Sequence, residues 1–128
     1  MDYRKLNAIT KKDAYPLPLI QDIFDSLEGA TVFSSLDLRS GYWQVPLHPD
    51  SIEKTAIATH RGLFQFKRMP FGLCNGPALF QRLMNQILAP YMGKFVMVYI
   101  DDIVIFSKSQ EEHAEHLHAV LQVLREHR

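Results

Sequence analysis

Apolar side chains recur at every third or fourth position in three stretches of the chain, and this spacing predicts three amphipathic helices. The first is predicted over residues 16–29 and ends at Gly29, a residue that favours helix ends. The second begins near Pro77, since proline suits a first helical turn. The third follows Ser109, which is spaced to form a capping box with Glu112. The predicted apolar faces are Leu19, Ile20, Ile23, Phe24 and Leu27; Leu79, Phe80, Leu83, Met84, Ile87 and Leu88; and Ala114, Leu117, Val120, Leu121 and Leu124.

Three other stretches have the alternating or β-branched pattern of strands. Residues 31–38 predict one strand, residues 54–69 a hairpin, and residues 94–107 a strand, a tight turn and a second strand. Residues 40–50 contain glycine and two prolines and predict an irregular connection. The resulting order, α-β-ββ-α-ββ-α, favours an α+β fold in which helices pack on an antiparallel sheet.

Composition and charge fit one globular domain of 128 residues, of which 47% are apolar. The net charge is zero, but the chain from Lys54 to Ile100 has six lysines and arginines and no acidic residue. That middle part is therefore suited to face an anion. The single cysteine, Cys74, excludes an internal disulfide and fits a reducing compartment. With no signal-peptide pattern and no apolar run near the roughly 20 residues that cross a bilayer, we expect a cytosolic or nuclear protein without a membrane partner.

Two adjacent carboxylates, Asp101 and Asp102, interrupt the apolar run from Phe95 to Ser107. Aspartate is common in turns, so the pair alone has an ordinary structural explanation. However, the turn emerges directly from a core, and Asp37 stands near the end of another predicted strand, on one face with Phe33 and Ser35. If these strands are neighbours, three carboxylates converge, and a hard divalent cation such as Mg²⁺ would relieve their repulsion. The residues therefore favour metal-dependent phosphate chemistry and leave polymerase and nuclease both open.

The motifs resemble those of one family. Tyr99-Ile100-Asp101-Asp102 resembles the Y-x-D-D hairpin of reverse transcriptases, and "FSSLDLRSGYWQVPL" resembles the segment of their first catalytic aspartate. "QFKRMPFGLCNGPALFQRLMN" resembles their next conserved block, and "DYRKLN" the end of a finger strand. The residues of these motifs are most similar to those of the polymerases of Ty3/gypsy-type long-terminal-repeat retrotransposons. The four motifs occur in the family's order along nearly the whole chain.

This resemblance implies the palm of a right-hand polymerase with part of the fingers. Residues 14–44 and 77–128 would be palm, and residues 1–13 and 45–76 fingers. The thumb, connection and RNase H would lie outside the chain, as would upstream basic residues that grip the triphosphate. Expected partners are an RNA or DNA template with its primer, dNTPs, and the rest of a retroelement polyprotein. The expected location is cytoplasmic, in a virus-like particle, or nuclear.

The resemblance also implies residue roles. Asp37, Asp101 and Asp102 would be catalytic, and with Leu38 they would bind two Mg²⁺ ions, for which Mn²⁺ could substitute. Tyr42 would be the sugar-selecting aromatic, whereas by itself it would be an ordinary core tyrosine. Phe71 stands where retroviral relatives commonly have glutamine, so a polar contact is lost there. The nucleotide-binding set would be Leu38, Arg39, Ser40, Gly41, Tyr42, Phe71 and Gly72, and the primer- and template-contacting set Arg68, Pro77, Tyr99 and Ile100.

Other interpretations remain open. The missing flanking parts favour a non-catalytic remnant that acts at most as an interaction module. A two-metal nuclease would fit the carboxylates but not the other motifs. The clustered histidines His113, His116 and His118 are better explained as ordinary helix residues than as zinc ligands, because no cysteine accompanies them. Cys74 lacks the histidine partner that a thiol nucleophile needs.

Overall fold

The computed structural model describes residues 1–127 and is built around a three-stranded antiparallel sheet with the strand order β1-β5-β4. The strands are β1 (Val32–Asp37), β4 (Val96–Tyr99) and β5 (Asp102–Ser107). A separate two-stranded ribbon is formed by β2 (Ile57–Thr59) and β3 (Gly62–Phe64). The predicted hairpin over residues 54–69 is therefore confirmed but shorter than expected.

Five helices accompany the strands in residues 1–127. They are α1 (Arg4–Ile9), α2 (Ile20–Ser26), α3 (Pro49–Ile52), α4 (Gly76–Ile87) and α5 (Gln110–Glu126). Two short 3₁₀ turns, Gly41–Gln44 and Glu53–Thr55, fall in and next to the connection that the sequence predicts to be irregular. None of the helices in residues 1–127 has the length and apolar character that a membrane crossing requires.

The hydrophobic core lies between one face of the sheet and the helices α4 and α5. Alternate residues of β4 and β5 point to this face, because successive side chains of a strand point to opposite sides. The strand residues of the core are at most 1% exposed, and the helices contribute side chains that are at most 4% exposed. The core residues of the two layers are Val96, Val98, Ile103 and Ile105 from the strands and Phe80, Met84 and Val120 from the helices, with Leu88 at the end of α4.

The first predicted helix is shorter and less covered than the sequence suggests. It was predicted over residues 16–29, but α2 spans only Ile20–Ser26. Pro18 explains the late start, since a residue before proline is disfavoured in helical geometry. Three members of the predicted apolar face, Leu19, Ile20 and Phe24, remain more than 60% exposed. The pattern therefore identified the helix but not a buried face.

Residues Arg4–Asn7 of the N-terminal motif "DYRKLN" belong to helix α1, so the prediction of a strand end is wrong for this part of the motif. The Asp2 carboxylate accepts a hydrogen bond from the Arg4 amide at 3.0 Å, which supports the first turn of α1. The side chain of Asn7 then donates to the Gly72 carbonyl at 2.8 Å and accepts from the Cys74 amide at 2.9 Å. These contacts hold α1 against the loop that precedes α4.

The predicted apolar face of the last helix is confirmed in part, since Leu117, Val120 and Leu124 pack in or against the core. Val120 is buried, but Ala114 and Leu121 are exposed, and His113 is 7% exposed. The His113 imidazole is placed between two serines, with Nε2 at 2.7 Å from the Ser34 Oγ and Nδ1 at 2.9 Å from the Ser107 Oγ. Because both strands supply hydroxyl partners, a polar histidine takes a core position. The predicted cap of α5 is present, since the Ser109 hydroxyl accepts from the Glu112 amide at 3.3 Å.

Candidate active site

The turn between β4 and β5 has an unusual backbone. Tyr99 and Asp102 pair across it, so that only Ile100 and Asp101 form the loop. Ile100 has a φ of 52°, in the left-handed region, whereas Asp101 does not have a positive φ. This is the sign pattern of a type II′ hairpin, in which glycine normally takes the first position. A β-branched residue there is strained by about 1–3 kcal/mol, and such strain is concentrated at functional sites.

The strand pairing brings the predicted carboxylates together in pairs. Asp37, the last residue of β1, lies directly opposite Asp102, the first residue of β5. Asp37 and Asp101 also line one cavity of about 190 Å³. The predicted neighbourhood of β1 and the Asp101 turn is therefore confirmed. The other lining residues of this cavity are Leu38, Ser40, Gly41, Tyr42, Phe71 and Phe80.

The donor chemistry of this cavity fits a hard divalent cation, because carboxylate and carbonyl oxygens are the ligands that Mg²⁺ prefers. Within residues 1–127, however, no three carboxylate, histidine or cysteine side chains are close enough together to form a ready-made metal site. The expected convergence of all three aspartates is thus met only in pairs.

Tyr42 is both a core residue and a wall of the cavity. Its side chain is only 8% exposed, and its ring packs against Phe80 and Phe71, with centroid distances of 5.3 and 5.2 Å. Burial raises the pKa of Tyr42 to about 12, and the negative charge of Asp101 adds to the rise. The phenol therefore stays protonated at neutral pH. Trp43 extends the aromatic group outward by packing on Phe71 at 5.7 Å.

The loop after Asp37 approaches the aromatic wall closely at Gly41. A Cβ atom at this position would lie 2.9 Å from Cζ of Phe80 and 3.5 Å from Cβ of Leu38. Ser40, the residue before, is left-handed with a φ of 51°. The predicted nucleotide-binding residues Leu38, Ser40 and Gly41, together called the backbone shelf, line the same cavity as Asp37 and Asp101.

Other residues predicted for the site lie outside the lining of this cavity, as far as the described part of the chain goes. Arg39 is exposed, and its carbonyl accepts from Nε2 of Gln44 at 2.9 Å. The Arg68 guanidinium donates to the Gln44 carbonyl at 2.7 Å. The remaining members of this set are Gly72, which has a φ of 92°, Pro77 in the first turn of α4, and Tyr99, Ile100 and Asp102 at the hairpin.

Sequence reasoning missed Gln81, a fully buried glutamine on α4. Its Oε1 accepts a hydrogen bond from the Ile100 amide at 2.8 Å, and its Nε2 donates to the Val98 carbonyl at 2.9 Å. The side chain thus fastens the strained turn to the helix. A signal was present, because position 81 falls on the same helical stripe as Met84 and Leu88, where a polar residue is unexpected.

The antiparallel sheet backed by helices, with carboxylates at its hairpin, is the arrangement expected for the palm of a polymerase. The chain belongs to the reverse transcriptase (RNA-dependent DNA polymerase) family, whose model matches residues 1–128. It is similar to the foamy viral protease-reverse transcriptase in complex with an RNA/DNA hybrid, with a TM-score of 0.87 and 30% identity over 98% of this chain and 17% of that one.

Two curated relatives are a polymerase homolog and a transposon polyprotein. The chain is 49% identical over 123 residues to an RNA-directed DNA polymerase homolog of Oenothera berteroana, covering 94% of this chain and 87% of that protein. It is 42% identical over 124 residues to the retrovirus-related Pol polyprotein from transposon gypsy of Drosophila melanogaster. That match covers 97% of this chain but 12% of the polyprotein. The resemblance to Ty3/gypsy-type elements is confirmed.

Proposed function

We propose that this chain carries the nucleotidyl-transfer site of an RNA-directed DNA polymerase, which adds a nucleotide from a dNTP to a primer 3′-hydroxyl. The observation that carries the proposal is the pairing of Asp37 with Asp102, together with the cavity that Asp37 shares with Asp101. Packing alone does not explain why three acidic residues from distant parts of the sequence lie at one end of the sheet, because like charges opposite each other destabilise a strand pair.

Asp37, Asp101 and Asp102 would hold two divalent cations, with the carbonyl of Leu38 as a further ligand. Bound Mg²⁺ or Mn²⁺ would supply charge neutralisation and a lowered pKa of the attacking hydroxyl. The protein itself contributes position. Gln81 holds the Ile100 amide and so fixes the turn that presents Asp101, and the pairing of β1 with β5 fixes Asp37. Preorganised charges of this kind need no reorganisation during the reaction.

Selection of the sugar is proposed for Tyr42. Its ring packs against Phe71 and Phe80 and is largely buried, so these contacts would restrain it from moving away from a larger sugar. A rigid ring at the base of the cavity would exclude a 2′-hydroxyl and favour deoxynucleotides. The backbone shelf of Leu38, Ser40 and Gly41 would lie along the triphosphate, where backbone amides can act as donors.

The proposed subdomains and binding partners follow from the assignment of the chain as part of a polymerase. Residues 1–13 and 45–76 are proposed as fingers, and residues 14–44 and 77–128 as palm, of which Arg128 lies outside the described residues. Exposed basic residues of the acid-free region, such as Arg61, Lys67 and Arg68, would face phosphates of a primed RNA or DNA template. The chain would act as part of a retroelement polyprotein, in the cytoplasm or the nucleus.

Primer extension on a poly(rA) template with an oligo(dT) primer tests the proposal, in Mg²⁺ and separately in Mn²⁺. The assay compares the 128-residue chain, a form extended at both ends, and the Asp101→Asn variant of each. Asp22→Asn is the matched control, because Asp22 is an exposed aspartate on α2. We expect extension that Asp101→Asn reduces at least about a thousandfold, while Asp22→Asn leaves it unchanged.

The outcomes separate the alternatives. Activity only in the extended form would mean that the site is intact but needs further contacts to hold primer and template. Equal extension by Asp101→Asn and the parent would refute the assignment of the site. Failure of both forms in both metals would favour a non-catalytic remnant that serves as an interaction module.

A further inference from the structure

A chain of side-chain hydrogen bonds leads from the Asp101 turn across α4 to the segment before α2. The Ile100 amide donates to Gln81 Oε1 at 2.8 Å, Gln81 Nε2 donates to Asn85 Oδ1 at 3.0 Å, and Asn85 Nδ2 donates to the Tyr15 hydroxyl at 2.8 Å. In each of these three hydrogen bonds the donor is on the side of the Asp101 turn and the acceptor is on the side of Tyr15. Bonds in such a series polarise one another, so each is strengthened by the next.

Asn85 decides which way the buried Gln81 amide is turned. The Gln81 NH₂ group has two hydrogens, and these are taken by the Val98 carbonyl and by Asn85 Oδ1. Only this orientation leaves the Gln81 oxygen facing the Ile100 amide. Without the acceptor on Asn85, one buried Gln81 hydrogen loses its partner, and the reversed amide would place an NH₂ group against the Ile100 N–H.

Tyr15 is itself held in place at the other end of the chain. The Arg82 guanidinium lies over its ring, with 4.8 Å between Cζ and the ring centroid. Arg82 also forms an ion pair with Asp13 at 2.8 Å, and the Tyr15 amide donates to Asp13 Oδ1 at 3.0 Å. Residues 13–15 are therefore fixed to α4 at Arg82 and Asn85, next to and one helical turn after Gln81, which holds the turn.

We propose that Asn85 and Tyr15 are positioning residues. They orient the Gln81 amide and so keep Ile100 in its left-handed conformation. In this way they couple the position of residues 13–15 to the orientation of Asp101. The structural part of this inference stands on the hydrogen-bond chain, and its effect on catalysis rests on the proposed function. A shift of residues 13–15 would loosen the turn without direct contact with Asp37, Asp101 or Asp102.

Amide hydrogen exchange of the Ile100 N–H, followed by NMR, tests the positioning without any need for activity. In Asn85→Leu we expect exchange of this amide to accelerate at least about tenfold more than that of the Ile105 amide, which lies in the buried part of β5. Gln86→Leu is the matched control, because Gln86 is the exposed neighbour of Asn85 on the same helix. This control should leave the ratio of the two rates unchanged.

Two further variants distinguish positioning from a general loss of stability. Asn85→Asp keeps an acceptor for Gln81 and can accept from the Tyr15 hydroxyl, so it should restore Ile100 protection. Tyr15→Phe removes only the hydroxyl and should accelerate Ile100 exchange less than Asn85→Leu. Parallel acceleration of Ile100 and Ile105 in Asn85→Leu and Tyr15→Phe, or no acceleration at all, would overturn the inference.

The catalytic consequence is measured separately by primer extension with the extended form. We expect Asn85→Leu to lower kcat about tenfold with a smaller change in the KM for dTTP, and Asn85→Asp to recover most of the loss. If Ile100 exchange responds as expected but no form extends a primer, the positioning is supported and the proposed function fails. A normal kcat in an Asn85→Leu protein with accelerated Ile100 exchange would overturn the link to Asp101.

Discussion

Substitution of Gly41 by alanine probes the close approach between the loop after Asp37 and the aromatic wall. The added methyl carbon would lie 2.9 Å from Phe80 Cζ and 3.1 Å from Phe80 Cε2. Carbon atoms in a protein core are usually separated by about 3.5–4.0 Å. The Phe80 ring is 2% exposed and contacts Tyr42, so a displacement of this ring would also disturb the side chain that is proposed to select the sugar.

The size of the effect follows from two opposing contributions. Overpacking of a core by one methyl group costs typically about 1–3 kcal/mol. Replacing glycine by alanine returns about 0.4–1 kcal/mol, because the unfolded chain loses freedom. The φ of Gly41 lies outside the left-handed region, so no torsional strain is added. We expect Gly41→Ala to lower the free energy of unfolding by about 1–2 kcal/mol.

The free energy of unfolding is measured by urea denaturation. The proteins compared are the parent, Gly41→Ala, Phe80→Leu and the Gly41→Ala/Phe80→Leu double variant. Phe80→Leu vacates the space beside Gly41, so the added methyl should cost at least about 0.5 kcal/mol less in that background. Gly76→Ala is the matched control, because its Cβ would meet only the Met69 sulfur, at an ordinary 3.8 Å. Equal costs of Gly41→Ala in both backgrounds, or none in the parent, would refute the steric explanation.

Three further predictions concern charge and buried polar groups. Asp102→Asn should stabilise the metal-free chain by about 0.2–1 kcal/mol in thermal unfolding, because it removes the repulsion from Asp37 across the strand pair; a loss would contradict this. Since the pKa of Tyr42 is raised from 10.0 to about 12, the parent should lose stability relative to Tyr42→Phe as the pH rises from 10 through 12, in urea denaturation at each pH. If the difference in stability between the parent and Tyr42→Phe does not change with pH, the phenol is not buried in solution. Thr55→Val should cost about 1–3 kcal/mol, because the Phe66 amide loses the hydroxyl that accepts its hydrogen bond at 2.9 Å, and Thr55→Ser should cost less.

The strand ends that carry Asp37 and Asp102 were predictable because they depend on local patterns, whereas the pairing of the two residues was expected only if β1 and β5 are neighbours. Alternation along β1 and the apolar run around Asp101 identify two strands, and both carboxylates stand at strand ends. Antiparallel strands that end together bring such residues opposite each other. The motif resemblance then assigned chemistry to a pair that turn propensity alone would also explain.

Features that depend on long-range contacts could not be predicted in this way. The role of Gln81 depends on which turn lies against α4, and the burial of His113 depends on hydroxyls supplied by two strands. Helix α1 lacks a strong apolar period and is held by contacts of Asn7 with the loop at Gly72. In each case at least one partner of the polar side chain lies more than fifteen residues away, beyond the reach of a sequence window.

The pairing of β1 with β5 also has a consequence for folding order. The β4–β5 hairpin closes over two residues, which takes microseconds, whereas Asp37 and Asp102 are joined by a loop of more than sixty residues whose closure is entropically costly. The Asp101 turn can therefore form early, while the carboxylate pair is completed only when β1 docks. Trp43, the single tryptophan, follows β1 in the chain and packs on Phe71, so its fluorescence should report packing of the segment after β1 and not formation of the hairpin.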